Sequence, residues 1–192
     1  MTPSRRPALF LDRDGTIIED EHYGRDPARV RLMDGATEGI RQANAAGVPV
    51  IVVTNQSGIG RGIISPAEYA AMAARIDALL AADGARVDAT YFCPHFPEVD
   101  GQCGCRKPGT LLYEQAAEAF GLDLARSVYV GDRARDVAAA VRFGGLGLLV
   151  PSHGTPPAER DTPGIRVMDT IRDAMRVAQA ALGVDDSPGG SA

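Results

Sequence analysis

Short aliphatic and β-branched runs alternate with longer alanine-rich stretches along this chain. The runs are Ala8–Leu11, Val48–Val53, Ala89–Phe92, Val128–Val130 and Leu146–Val150. Runs of this kind, apolar at successive positions, suit strands buried on both faces, and their alternation with helical stretches is the pattern of βαβ units around a parallel sheet. A helix is expected after Ser65, with proline at its first position and Glu68 three residues past the cap, the arrangement of a capping box. Further helices are expected over Thr110–Phe120, stopped by Gly121, over Val137–Phe143, stopped by Gly144 and Gly145, and over Ile171–Leu182. These elements predict an α/β fold, a three-layer Rossmann-like parallel sheet with helices on both faces. Residues 1–183 read as one domain and 184–192 as a flexible tail, with no internal repeat.

In open parallel sheets, ligands bind beyond the carboxyl ends of the strands. The polar clusters lie at such ends: Asp12 and Asp14 after the first strand, Thr54 to Ser57 after the second, and Gly131-Asp132 after the fourth. With the Cys93–Pro108 loop, four segments are expected to converge on one place.

Composition narrows the ligand. The 192 residues carry 20 basic and 25 acidic side chains, a net charge of −5, with no basic tract. That balance disfavours nucleic acid and membrane surfaces as partners and leaves a small anionic ligand held by local positive groups. No apolar run approaches a bilayer span, and Met1–Arg6 is too short and polar for a signal peptide. The expectation is a cytoplasmic monomer.

Two aspartates one residue apart at a strand end share a face, and like charges buried together need a metal, a proton or water. A carboxylate that attacks phosphorus gives an aspartyl phosphate and splits one hard hydrolysis into two easier steps. Asp12 is the expected nucleophile. Asp14 is the expected acid and base, protonating the departing oxygen and then accepting a proton from water. Most isolated Asp-x-Asp-Gly strings are turns, with the first aspartate as a helix cap, so the assignment depends on its company. Phosphoryl transfer needs charge neutralisation around the phosphoryl oxygens. Asp132 and Asp12, with the Asp14 backbone carbonyl, are expected to hold Mg²⁺. Asp136 either braces that set or simply favours a helix N-terminus. Thr54 is expected to bind phosphate oxygens, Lys107 to neutralise the transferring group, and Arg106 or Arg133 to recognise a second anion.

The cysteines have a separate logic. Cys93, Cys103 and Cys105 lie within thirteen residues of one another, with His95 among them. Three thiolates and an imidazole complete a tetrahedral Zn²⁺ set, so the ion is expected to be structural, clamping a Pro- and Gly-rich loop and fixing Arg106 and Lys107 just beyond it.

The motifs FLDRDGTI over Phe10–Ile17, VTNQSGI over Val53–Ile59, CPH over Cys93–His95 with CGCRKP over Cys103–Pro108, and VGDR over Val130–Arg133 resemble the haloacid dehalogenase superfamily of phosphatases. More narrowly, they resemble the D-glycero-D-manno-heptose 1,7-bisphosphate 7-phosphatases and the related histidinol-phosphate phosphatases. The resemblance implies a nucleophilic Asp12, an acid/base Asp14, phosphate binding by Thr54 and Lys107, Mg²⁺ on Asp132, and zinc on Cys93, His95, Cys103 and Cys105. It implies substrate contacts from Arg13, from Asp20, Glu21, His22 and Tyr23, from Asn55, Gln56 and Ser57, and from Arg106 and Arg133. Position 133 departs from the pattern, carrying Arg where lysine is familiar.

The intervals Thr16–Thr54 and Ser57–Cys93 hold little beyond a helix each, so a capless enzyme is expected, its specificity set by short loops. The expected reaction is removal of the 7-phosphate of the heptose bisphosphate. Histidinol phosphate is the alternative substrate, and a non-catalytic, zinc-stabilised phospholigand-binding protein is the alternative from a different class. The acidic balance counts against a nucleic-acid-end phosphatase.

Overall fold

The computed structural model describes residues 5 to 184, so the tail expected from 184 onward lies, beyond Val184, outside the described residues. Six parallel strands form one sheet: β1 (Leu9–Leu11), β2 (Val50–Asn55), β3 (Ala89–Cys93), β4 (Val128–Gly131), β5 (Leu146–Leu149) and β6 (Ile165–Val167). Their order is β3-β2-β1-β4-β5-β6, which puts β1 at the centre. The chain moves outward first on one side of β1 and then on the other, so the strand order reverses beside β1, where ligands collect in such sheets. Central β1 pairs Leu9, Phe10 and Leu11 with Val50, Ile51 and Val52 on one flank and with Val128, Tyr129 and Val130 on the other.

The helices are α1 (Ala36–Ala45), α2 (Ser57–Gly60), α3 (Pro66–Ala82), α4 (Pro97–Asp100), α5 (Leu111–Phe120), α6 (Ala134–Phe143) and α7 (Ile171–Leu182). Strand periodicity splits the core in two. Leu9, Leu11, Val50 and Val52 face one layer, with Ile40 of α1, Met72, Ile76 and Leu80 of α3, and Met175 of α7. Phe10, Ile51 and Val53 face the other, with Leu112, Tyr113 and Ala116 of α5 and Ala139 and Ala140 of α6. The expected three layers are present.

The Ser65 capping box forms as its residues dictate. The Ser65 hydroxyl accepts from the Glu68 N–H at 3.2 Å, and the Glu68 carboxylate accepts from the Ser65 N–H at 2.8 Å. Other boundaries differ from the sequence reading. β2 starts at Val50 and runs through Thr54 and Asn55, so these two polar residues sit on the strand itself. α6 starts at Ala134, three residues before Val137. Its cap comes from inside the helix, where Asp136 Oδ2 accepts from the Arg133 N–H at 2.9 Å. The sixth strand escapes the pattern because it is an edge strand, largely exposed, with the charged Arg166 between Ile165 and Val167 in place of an apolar run.

Candidate active site

β1 delivers Asp12 one residue past its end, β4 delivers Asp132 likewise, and the first turn of α6 brings Asp136 back over the sheet. Carboxylate oxygens of these three buried residues all lie within 4.8 Å of one another. Two glycines allow this crowding. Gly15 has a φ of +78°, and a Cβ there would stand 2.7 Å from Asp132 Oδ2; a Cβ on Gly131 would stand 2.4 Å from that of Asp136.

Lys107 enters from the loop after β3. Its ammonium donates to Asp12 Oδ1 and to the Val53 carbonyl, both at 2.6 Å, and lies 2.8 Å from Asp136 Oδ1. Asn55 fixes the backbone behind it, accepting from the Lys107 N–H at 2.9 Å and donating to the Lys107 carbonyl at 3.2 Å. Burial works to lower the Lys107 ammonium's pKa, but Asp12 and Asp136 overcome it and hold it above the usual lysine range. Burial pushes the Asp12 carboxyl up to about 7 against the pull of Lys107. It pushes Asp132 up to about 6 against the hydrogen bond from Ser152. Three carboxylates thus face one ammonium, and two of them resist ionisation. A divalent cation fits such a set, because it supplies the missing positive charge and hard oxygen ligands suit it.

Ser152 and Thr155 hold Asp132 in place: the Ser152 hydroxyl donates to Asp132 Oδ2, and that of Thr155 to the Asp132 carbonyl, each at 2.6 Å. The Asp14 side chain lines the same recess as Asp12 and Asp132 but is not one of the three clustered carboxylates. Arg13 reaches its two oxygens at 3.0 to 3.2 Å, and Gln56 Nε2 donates to it at 2.8 Å. The same Gln56 nitrogen donates to the buried Thr54 hydroxyl at 2.9 Å.

Above these groups opens a cavity of about 300 Å³ whose lining includes Arg13, Asp14, Asp20, His22 and Tyr23. Asn55, Gln56, Ser57, Arg106, Arg133 and Arg135 line it too. Most residues expected to contact substrate therefore share one cavity. Glu21 is not among its lining residues and pairs instead with Arg29 at 3.1 Å. His22 and Tyr23 adopt positive φ, 38° and 63°, and Arg61 Nη1 donates to the Tyr23 hydroxyl at 2.8 Å. Arg133 is itself held: Glu159 takes it at 2.6 Å and also accepts from the Ala134 N–H at 2.7 Å. The sequence reading passed over Arg135, Glu159 and Ser152. Arg135 carries a weak signal, being two residues past Arg133; the other two carry none.

In the loop after β3, the Sγ atoms of Cys93, Cys103 and Cys105 are 3.2 to 3.7 Å apart, and His95 Nδ1 is 3.6 Å from Cys93 and 3.2 Å from Cys105. A tetrahedron with Zn–S bonds of about 2.3 Å has edges of roughly 3.7 Å. The four ligand atoms approach that spacing, so the set fits a tetrahedral ion. Burial pushes the Cys93 thiol up to about 12. A coordinated metal lowers the pKa of a thiol.

The parallel sheet, its order and the carboxylate–lysine cluster at its carboxyl edge define a haloacid dehalogenase-like hydrolase of the phosphatase class. A family model described as HAD-hydrolase-like matches residues 104–174. Within that class the chain belongs to the family whose members are named D-glycero-beta-D-manno-heptose-1,7-bisphosphate 7-phosphatase. One such relative, from Rhodopseudomonas palustris, is 43% identical over 73% of this chain and 81% of its own. A putative HAD-like phosphatase from Mesorhizobium loti is 36% identical in sequence and similar in structure, with a TM-score of 0.82 over 96% of this chain and 91% of its own. The D,D-heptose 1,7-bisphosphate phosphatase of B. bronchiseptica, solved with magnesium and phosphate, is 31% identical, with a TM-score of 0.79 over 91% of this chain and 99% of its own. Among the described residues, no helix is long and apolar enough to cross a membrane.

Proposed function

We propose that this phosphatase is Mg²⁺-dependent, forms an aspartyl phosphate on Asp12, and removes the 7-phosphate of D-glycero-D-manno-heptose 1,7-bisphosphate. The observation that carries the reading is the buried Asp12 carboxylate held 2.6 Å from Lys107 beside Asp132 and Asp136. Asp12, Asp132 and the Asp14 backbone carbonyl would hold Mg²⁺, which supplies charge neutralisation at the phosphoryl oxygens. Asp12 attacks phosphorus; the ester P–O bond breaks, and Asp14 gives its proton to the leaving oxygen. In the second step Asp14 takes a proton from water, which attacks phosphorus and frees Asp12. Lys107 orients the nucleophile and balances charge, while the Thr54 hydroxyl and the backbone after it hold phosphate oxygens. Zn²⁺ on Cys93, His95, Cys103 and Cys105 would fix the loop that carries Arg106 and Lys107.

The substrate choice rests on the cavity wall. Arg106, Arg133 and Arg135 line it together, which suits a second anionic group better than the cationic amine of histidinol phosphate. The names of the relatives agree with that choice. The test is twofold. Asp12→Asn should abolish turnover, and near-normal hydrolysis by that variant would sink the mechanism. The kcat/KM for the heptose bisphosphate should exceed that for histidinol phosphate; the reverse order would reassign the substrate and leave the chemistry standing.

A further inference from the structure

Arg13 lies between the nucleophile and the acid/base, yet nothing in the reaction so far uses it. Its side chain is buried, with 7% of the residue exposed. Nε and Nη2 engage both oxygens of Asp14, and Nη2 also donates to Gln56 Oε1 at 2.9 Å. Gln56 Nε2 donates to Asp14 in turn, so Arg13, Asp14 and Gln56 close a ring of hydrogen bonds. The amide cannot be turned over, because its NH₂ would then face the guanidinium. The ring is anchored on two sides. The Tyr69 ring lies under the guanidinium with its centroid 5.5 Å from Cζ, and Tyr69 packs on Phe92 at 4.4 Å. The Gln56 N–H donates to the Cys93 carbonyl at 2.7 Å, which ties the ring to the cysteine loop.

Such a buried guanidinium is a poor way to stabilise a fold. Its Nη1 is buried with no hydrogen-bond partner, so Arg13 bears a desolvation cost that an apolar side chain of similar volume would avoid. What it secures is direction. A carboxylate held by a planar two-nitrogen fork loses the rotamer freedom that an aspartate at a cavity mouth otherwise keeps. Asp14 keeps 29% of its side chain uncovered, and that residue lines both the cavity and the smaller recess containing Asp12 and Thr54.

We propose that Arg13, locked by Gln56 and Tyr69, is the positioning residue for Asp14: it aims the carboxyl group that, in its protonated form, passes the proton to the leaving oxygen. The proposal rests on the acid/base role given to Asp14 above. In the first step a P–O ester bond breaks and the electron pair stays on the leaving oxygen. An alkoxide needs a proton at that moment, whereas a nitrophenolate does not. Because kcat/KM reports formation of the aspartyl phosphate and not its later hydrolysis, a misaimed Asp14 lowers kcat/KM selectively for alkyl phosphates, while general damage to the site lowers it for both substrates alike.

The experiment measures kcat/KM for a simple alkyl monophosphate and for p-nitrophenyl phosphate, which differ in leaving group but not in phosphate number, in wild type, Arg13→Met, Arg13→Lys and Asp14→Asn. In Arg13→Met the alkyl substrate should fall by about 10²-fold, the low end of what acid catalysis contributes, and the nitrophenyl ester by less than about threefold. Arg13→Lys, which keeps one donor and the charge, should recover part of the loss on the alkyl substrate alone. If Arg13→Met does not fold, Arg13→Lys carries the same comparison, with a loss of about tenfold expected on the alkyl phosphate only. Equal losses on the two substrates, or no loss on either, would overturn the proposal. An unimpaired Asp14→Asn would instead remove the acid/base reading beneath it, and is told apart because it leaves the arginine variants' selectivity without a cause.

Discussion

The Lys107 ammonium donates to Asp12 Oδ1 at 2.6 Å across 95 positions of sequence, with both side chains all but removed from solvent. That contact joins the first strand's end to the cysteine loop. It makes the charge balance of the site depend on a residue whose backbone is held by Asn55.

Removing the ammonium leaves the Asp12 and Asp136 carboxylates buried without their counter-charge. Breaking one side of a buried pair costs about 3–5 kcal/mol. Lys107→Met should lose stability of that order in urea denaturation of protein free of Mg²⁺ with its cysteine loop intact. Its kcat should fall by about 10²–10³-fold, the scale of losing one preorganised electrostatic contact. Retained stability would mean that Lys107 merely occupies space there.

Proton linkage at Asp12 and Asp132 has a defined sign. Both carboxyls are raised, from 3.8 to about 7 and about 6, so in this pH window the folded, metal-free protein binds more protons than the unfolded chain. Its stability should therefore decline as pH rises from about 4 to about 7. A cation that needs both carboxylates must expel those protons. Titration calorimetry of Mg²⁺ at pH 6, in two buffers of different ionisation enthalpy, should show proton release and an affinity that rises with pH. Binding without proton release would contradict the assignment of Asp12 and Asp132 as ligands.

Removal of the zinc proposed for the cysteine set should act at a distance. Cys105 stands two residues before Lys107, and Arg106 Nη1 reaches the His95 carbonyl at 3.4 Å. A thiol-selective chelator, or Cys105→Ser, should lower Tm, open residues 94–108 to proteolysis and raise KM with the nucleophile chemistry intact. Unchanged KM after verified metal loss would separate the loop from the site.

Arg133 and Glu159 make the last testable pair. With its guanidinium 2.6 Å from Glu159, Arg133 is aimed before any ligand arrives. Arg133→Ala should raise KM for the heptose bisphosphate by about tenfold, the loss of one charge-assisted contact, and leave a monophosphate nearly unaffected. Glu159→Gln should raise KM for the bisphosphate less, since it loosens the arginine without removing it. A similar KM change on both substrates would place Arg133 at the transferred phosphate instead.

Much of this was legible because local chemistry repeats local structure. The strands β1, β2 and β4 are apolar runs because both their faces are covered, and Ser65 with Glu68 writes a helix start into two letters. Cys93, His95, Cys103 and Cys105, which the structure brings together, need only short spacing to be recognised as a set. α6 was read as starting too late because its N-terminus is capped by its own Asp136 rather than by a preceding Ser, Thr, Asp or Asn. β6 lies at the sheet edge with Arg166 at its centre, so it carries no apolar run of the kind that marks the equally short but buried β1.

The sequence by itself determined the order of the motifs, the layered sheet and the supply of carboxylates, thiols and guanidinium groups, because these follow from residue type and period. Only the tertiary structure decided who meets whom. It gave Asp136 to Lys107 as well as to the carboxylate cluster, turned Glu21 out to Arg29, and closed Arg13, Asp14 and Gln56 into a ring. Such pairings arise from crossovers between distant strands and from the competition of buried charges for the nearest partner, and neither is written in any short stretch of chain.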